Sequence, residues 1–574
     1  FQNSFVVNYT TDNSGIINAY DKKLNLFYKG SYNVGNWLDI DYGVNSIVGK
    51  ARSHNNAFAT DPFSVPSYYS LFNSDGSRAS YSTIRFNIYN TILETTPSLF
   101  SAKFNHLDEL GRDFINTSIF NSRYYVNLNF KPMKGLTINP MFQYEDMRRD
   151  VSAYSEAESY TMRWLNDVYT TRTGSPGNYT YTKLLPVGGK LNTSHSRSPN
   201  YTARVQANYN REFGEHGFIA LAGTEFRQTN IYGQNGTLLG YDDQLQTQGT
   251  NNVNYGNLFN INRGTFWNPN YNTRTRHFAE ISNFGLIRDE LHRFASGYAN
   301  LTYTYQKKYN LFGSVRKDYA DLFGGDEKYR GRPLWSVGAS WIASSENFLK
   351  QFNSINYLKL RASYGLTGNI RNVTALLAAT TGINNTTQLP NATVINPPNP
   401  QLRWEKTATT NIGIDFTMFN NRLSGTIDWY RRKGTDLFSL KRLDPSSGFT
   451  SLTINNASMV NNGFEFNLGY EWVKPTSIDG FQWSSSLLGA VNNNKITDVD
   501  ELTRIPYTLA SGGSYKVGYP VRSIYSFQFA GLNTSGVPQW FDAMGNKTIA
   551  ALGPNDADAI VFSGDSDPKV NLSL

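Results

Sequence analysis

Apolar and polar residues alternate along most of this chain with a period of two, the spacing of a strand with one face in an apolar medium and the other in a polar one. Leu38, Ile40, Tyr42 and Val44 alternate with Asp39, Asp41, Gly43 and Asn45. Val126, Leu128 and Phe130 alternate with Asn127 and Asn129, and Phe464, Phe466, Leu468, Tyr470 and Trp472 with Glu465, Asn467, Gly469 and Glu471. The clearest case is residues 399–438, NPQLRWEKTATTNIGIDFTMFNNRLSGTIDWYRRKGTDLF. A turn at Asn420 and Asn421 sets Met418 opposite Leu423, Phe416 opposite Gly425, Ile414 opposite Ile427 and Ile412 opposite Trp429. The other face then pairs Thr417 with Ser424, Asp415 with Thr426, Gly413 with Asp428 and Asn411 with Tyr430. Asn tolerates the positive φ that a two-residue type I′ turn needs at both central positions, so turn and pattern specify the same register.

The pattern predicts about 15 or 16 strands, many of 10 or more residues, where strands of globular proteins cluster near 5–6. Short turns, at 131–135, 214–217, 420–421 and around Lys307 and Lys308, take turns with long polar segments at about 49–121, 149–199, 229–295, 368–406, 438–455 and 497–518. Short turns at one end and long loops at the other is the plan of an outer-membrane barrel. From the Asn-Asn turn to Trp429 is roughly 27 Å of strand at about 3.4 Å per residue. Tilted by about 40°, it covers roughly 20 Å of an apolar band about 25 Å tall, with Trp429 and Tyr430 at the far interface. The fold class expected is therefore all-β, a large antiparallel transmembrane β-barrel with long extracellular loops.

Composition narrows the alternatives. Aromatic residues make up 14% and charged residues 17% of the 574, too aromatic for disorder. The mean hydropathy of −0.47 is too polar for a bundle of membrane helices, and no apolar run approaches the roughly 18 residues of one such helix. The chain has no cysteine, which removes disulfides, thiol catalysis and zinc-thiolate sites. A net charge of +8 without a polybasic block gives no case for nucleic acid.

Several stretches resemble the SusC/RagA-like TonB-dependent outer-membrane transporters of Bacteroidetes. Residues 399–438 are similar to that family's signature at Asn399, Pro400, Leu402, Trp404, Glu405, Lys406, Thr407, Asn411, Gly413, Asp415, Phe416, Asp428, Asp436 and Leu437. YNLFGSVRKD, WSVGASWIASSENFL and INYLKLRASYGLTGN upstream, and NNASMVNNGFEFNLGY, GYPVRSIYSFQFAGLNTSGVPQWFDAMGN and SGDSDPKVNLSL downstream, resemble family segments in the same order. The resemblance covers residues 298–574; the first half matches in pattern. It implies a barrel of about 22 strands in the full protein, of which residues 1–574 are one partial domain, with an N-terminal plug and the last strands outside it. Starting at Phe1, the chain reads as a mature or partial product. Implied partners are a SusD-like surface lipoprotein, a TonB–ExbB–ExbD complex acting through a plug and TonB box, outer-membrane lipid and a dimer of such pairs. The implied function is active import of an oligosaccharide, with an oligopeptide second; a passive porin and a secreted β-rich glycan-binding protein are the competing classes.

No cofactor and no enzyme are expected. Gly43 to Ala51, GVNSIVGKA, has one residue too many between its glycines for a phosphate loop, and Ala51 stands where Ser or Thr is needed. The six histidines lack HExxH spacing. Asp39 and Asp41 suit a polar lumen wall, and Asp498/Asp500 and Asp556/Asp558 a solvated loop or a weak cation site. The cargo site is expected in the long loops, where aromatic faces with flanking amides, acids and arginines suit sugar rings and, nearly as well, peptides. The candidates are Trp164 and Tyr169 in SYTMRWLNDVYTTR, and Arg263, Phe266, Trp267, Asn268 and Tyr271 in NRGTFWNPNYNTRTRH. The alternative for each is packing of the loops on one another.

Overall fold

The computed structural model describes the whole chain except residues 14, 55–68, 83–86, 249–252, 255–257, 259–286, 322–330, 370–374, 376, 384–389, 476–479, 501–505 and 513–514. Antiparallel strands dominate it. Besides the two-residue strand Thr247–Gln248, those of the main sheet are β1 (Gln2–Asp12), β2 (Tyr20–Val34), β3 (Leu38–His54), β4 (Asp113–Met133), β5 (Leu136–Ser155), β6 (Gly189–Phe213), β7 (His216–Asp242), β8 (Ile287–Tyr305), β9 (Tyr309–Ala320), β10 (Pro333–Ile342), β11 (Ile355–Asn369), β12 (Glu405–Met418), β13 (Leu423–Arg442), β14 (Ser451–Val473), β15 (Trp483–Asp498) and β16 (Val570–Ser573). The chain divides into two compact units. One is Phe1–Asn129 with Pro140–Ala203 and Arg227–His292; the other is Phe130–Asn139 with Arg204–Phe226 and Arg293–Leu574.

In the second unit β8 to β16 form a meander in which each strand pairs antiparallel with the next. The β12–β13 hairpin has the register that its pattern predicts, from Met418 opposite Leu423 to Asn411 opposite Tyr430. Its turn differs in one respect. Asn420 and Asn421 have φ of 57° and 61°, but Phe419 also lies at φ 55°. Three successive residues are therefore left-handed, and the Arg422 amide closes the turn on the Phe419 carbonyl at 3.3 Å. The third left-handed residue is held from the neighbouring strand's entry: the Phe419 amide donates to the Ser354 carbonyl at 2.8 Å and the Asn421 amide to Asn356 Oδ1 at 3.1 Å. Two other turns are also shifted. Gln306 and Lys307 carry the positive φ between β8 and β9, and Gly214 with Glu215 alone joins β6 to β7.

The faces of these strands are inverted relative to a soluble sheet. Reading across paired positions, Ile412, Trp429, Phe464 and Val491 are all exposed large apolar side chains, and Val337, two residues along β10 from the same row, is another. Ile412 is 51% and Val337 50% exposed. Contiguous exposed apolar surface of this extent needs an apolar surrounding. The opposite face is polar and hydrogen-bonded within itself. Arg361 on β11 donates to Asp415 from Nε at 3.1 Å and to Asp428 from Nη2 at 2.7 Å, and Ser314 and Ser336 hydroxyls meet at 2.6 Å. Gly413 lies beneath the Arg361 pair. A Cβ there would stand 2.5 Å from Arg361 Cζ and 2.6 Å from Asp428 Oδ1.

The segment before β12 is a staple across β13 and β14. The Asn399 side-chain amide donates to the Thr453 carbonyl at 3.0 Å. Leu402 and Trp404 are buried with Ala320 and Ala375, against Phe294 and Phe438. Glu405 accepts the Phe438 amide at 2.9 Å. Asn455 on β14 receives the Arg403 amide at 2.9 Å and donates to the carbonyls of Arg403 and Asp436 at 2.8 and 2.7 Å. The family signature at Asn399, Leu402, Trp404 and Glu405 is thus a set of packing and bridging groups.

In the first unit β1 pairs with β2 and β2 with β3. Ser46 on β3 and Ser122 on β4 meet hydroxyl to hydroxyl at 2.6 Å. The strands run far into stretches expected to be loop: β3 to His54, β4 from Asp113, β5 to Ser155, β6 from Gly189 and β7 to Asp242. Alternation ends where neither face meets an apolar medium, but the backbone ladder does not depend on side-chain polarity and continues. Gly43 to Ala51 is strand throughout. Asp39 and Asp41 accept from Asn33 and Asn129 side chains at 2.6 and 2.8 Å.

Candidate functional site

Between the ends of the long strands the first unit carries a folded loop cluster with its own apolar core. It is built from α1 (Asn87–Thr95), α2 (His106–Glu109), α3 (Tyr160–Val168) and a hairpin pairing Thr170–Ser175 with Asn178–Lys183. Helix α3 starts at Ser159, whose hydroxyl accepts the Met162 amide at 3.2 Å, an N-cap that satisfies one of the helix's orphan donors. Met162, Leu165, Val168 and Tyr169 follow at helical spacing and are fully buried, with Leu93, Leu99, Ala102, Leu185, Leu239 and Leu258 around them.

Three buried carboxylates pin this helix. Glu109 Oε2 accepts the Tyr160 amide at 2.8 Å at the start of α3, with Arg163 and Arg112 guanidinium nitrogens 3.5 and 3.6 Å from its other oxygen. Burial raises the Glu109 carboxyl above the usual range, against the pull of that amide and the two arginines. Asp113 accepts the Thr161 hydroxyl at 2.6 Å. At the far end Asp167 accepts the Phe100 amide on both oxygens, at 3.0 and 3.2 Å. Burial drives its carboxyl up to about 7, against the Phe100 hydrogen bond and the charges of Lys183 and Arg163. None of these anchors was singled out from sequence. Ser159 ahead of apolar residues at 162, 165 and 168 was the available signal for the helix; the acids come from distant segments and have no local signature.

The sequence candidates divide. Arg263, Phe266, Trp267, Asn268 and Tyr271 lie outside the described residues. Tyr169 is fully buried in the cluster's core, where its ring is one of the groups that pack the loops on one another. Trp164 is half-buried against the same core and stacks on Tyr160, with ring centroids 6.3 Å apart at 21°. The structure places Trp164 in the middle of α3 and Tyr169 at its C-cap.

Comparison with known proteins agrees with this architecture. Residues 142–557 match the family described as TonB dependent receptor-like, beta-barrel. The chain is 28% identical over 398 residues to TonB-dependent receptor P26 of Formosa agariphila, covering 67% of this chain and 37% of that protein. It is 31% identical over 277 residues to TonB-dependent receptor SusC of Bacteroides thetaiotaomicron, covering 44% of this chain and 27% of that protein. A chain of the RagAB peptide transporter superposes with a TM-score of 0.73 at 20% identity, over 96% of this chain and 56% of that one. The chain thus spans about a third of these curated relatives' length. With its family match over residues 142–557 and its lipid-type apolar face, this chain belongs to the TonB-dependent receptor β-barrel family and is integral to the bacterial outer membrane.

Proposed function

We propose that this chain is the barrel of an active nutrient importer, the SusC-like member of a pair with a SusD-like surface lipoprotein, energised by a TonB–ExbB–ExbD complex. The observation that carries the reading is the family match over residues 142–557, and the SusC relative over 277 residues supports the subtype. The cargo proposed is an oligosaccharide, bound among the long loops, with Trp164 and residues Arg263, Phe266, Trp267, Asn268 and Tyr271 as contact groups. An oligopeptide is the second reading, favoured by the likeness to the RagAB peptide transporter. No catalytic step is proposed.

The test is uptake by the native bacterium, with and without the gene for the full-length protein, on oligosaccharides and on oligopeptides as sole nutrient. The reading expects loss of growth on one nutrient class, and the same loss when the proton gradient is collapsed. Uptake that persists without the gradient identifies a passive pore and rejects active import.

A further inference from the structure

A cavity of about 700 Å³ lies in the first unit where the ends of β5 and β7 meet the starts of β4 and β6. Three rings, Phe114, Tyr154 and Tyr241, and three carboxylates, Glu156, Asp242 and Asp243, line it. The rings are in edge contact, Phe114 to Tyr154 at 5.5 Å and Tyr154 to Tyr241 at 5.8 Å between centroids. The backbone beneath them is closed tightly. Gly188 and Gly240 have φ of 133° and 71°, and a Cβ at Gly188 would stand 2.6 Å from the Gly240 carbonyl carbon. A Cβ at Gly189 would stand 2.5 Å from the Ser155 carbonyl oxygen. The cavity is therefore walled by segments locked together without side chains between them, and is not a gap between loose loops.

Ring faces and carboxylates share one complementary ligand class, the organic cation. The ring quadrupole attracts a positive charge and the carboxylates take its N–H groups in charge-assisted hydrogen bonds. Two of the protein's own cations already behave so at this site. The Arg52 guanidinium lies 4.4 Å over the Phe114 ring centroid, and Arg112 Nε is 4.0 Å from Glu156 Oε2. Asp242 is held in place by the Gln244 and Leu245 amides, both 2.9 Å from Oδ1, which leaves Oδ2 for a ligand. Among the described residues no group of three His, Cys, Asp or Glu side chains is placed to hold a metal ion, so the negative charge here suits an ammonium or guanidinium better than an inorganic ion.

We propose that this cavity binds an organic cation, the primary ammonium or guanidinium group of a small solute, with Asp242 and Asp243 as its charge partners and Tyr154 and Tyr241 as its ring wall. Basic peptides and aminosugars both carry such groups. The claim concerns binding alone and is independent of whether the protein transports anything.

The experiment is calorimetric titration of the full-length protein, purified in detergent, at low salt. The probes are a trilysine peptide and a glucosamine trisaccharide, each with its fully N-acetylated counterpart. At least one free-amine probe should bind about tenfold more tightly than its acetylated form, and which one does so tells peptide from aminosugar. Asp242→Asn with Asp243→Asn should abolish that preference. Asp243→Asn alone, which leaves the Asp242 loop bonds in place, should reduce it severalfold. Retained heat-modifiable gel migration certifies the barrel fold of each variant. Equal binding of free and acetylated probes, no binding of either amine, or a preference that survives these substitutions overturns the proposal.

Discussion

Asp436 and Arg403 are joined at 2.8 Å at a bulge in β13, while the other Asp436 oxygen accepts from Arg332 at 2.7 Å. Asp436 lies at φ 57°, a left-handed conformation at the point where the β13–β14 register shifts between Gly434 and Leu437. The bulge turns one carboxylate toward two guanidinium groups that come from the segments entering β10 and β12. Asp436→Ala leaves both arginines without this acceptor and puts a β-carbon residue with no local hydrogen-bonding group at a left-handed φ. The expected loss is about 1–3 kcal/mol, read as a fall in the temperature at which the protein loses heat-modifiable migration. Asp436→Asn keeps the tolerance for that φ and should cost less. A double-mutant cycle with Arg403→Ala should show coupling of about 0.5 kcal/mol or more.

Gly413→Ala tests the polar face. Its new methyl meets Arg361 Cζ and Asp428 Oδ1 well inside contact distance, so the Arg361–Asp428 pair must separate. Overpacking of this kind costs about 1–3 kcal/mol. Arg361→Ala in the same chain opens the space but strands two carboxylates, so the double variant should not regain wild-type stability. Recovery to wild-type would show that the ion pairs contribute nothing.

Substitution on the exposed apolar face should act through the membrane. Ile414→Arg places a charge on an exposed apolar face opposite Ile427, at an expected cost of about 2–4 kcal/mol near the bilayer midplane. The yield of folded protein in outer membranes should drop. Thr410→Arg, opposite Arg431 and past the interfacial Trp429, should be tolerated far better.

Tyr169→Ala should unmake the loop cluster while leaving the strands in place. Truncating a fully buried aromatic costs about 3–5 kcal/mol, and the observable is faster proteolysis within residues 156–188 with unchanged heat-modifiable migration. Trp164→Ala, at a half-buried ring, should have a smaller structural effect. A loss of cargo affinity without added proteolysis would mark Trp164 as a contact residue.

The Asp167 carboxyl gives the loop cluster a pH dependence of definite sign. Its folded pKa of about 7 stands above the ordinary value of 3.8, so between these values the folded cluster binds more proton than the opened one. Its stability therefore falls as pH rises from about 4 to about 7 and is level outside that window, with a slope of at most about 1.4 kcal/mol per pH unit. Hydrogen exchange of the α3 amides, corrected for intrinsic rates, should show protection lost across this range. Asp167→Asn should reduce the loss to what the raised Glu109 carboxyl contributes; an unchanged profile would exclude Asp167 as a source.

The sequence alone determined the strands, the β12–β13 register and the medium on each face, because a period of two is imposed locally by the pleat and by lipid on one side of it. The resemblance around residues 399–438 named the family for the same reason: its residues sit close together in the chain. It did not determine that Phe419 would join Asn420 and Asn421 in a left-handed turn, since Ser354 and Asn356 enforce that from more than sixty residues away. Nor could it extend β5 and β6 past the end of the alternation, where ladder hydrogen bonds carry on without a patterned face. Tertiary structure alone decided the burial of Tyr169, the anchoring of α3 by Glu109, Asp113 and Asp167, and the meeting of three rings and three acids at one cavity. Those groups come from separate loops, and only the closure of the strands that carry them brings their side chains within bonding distance.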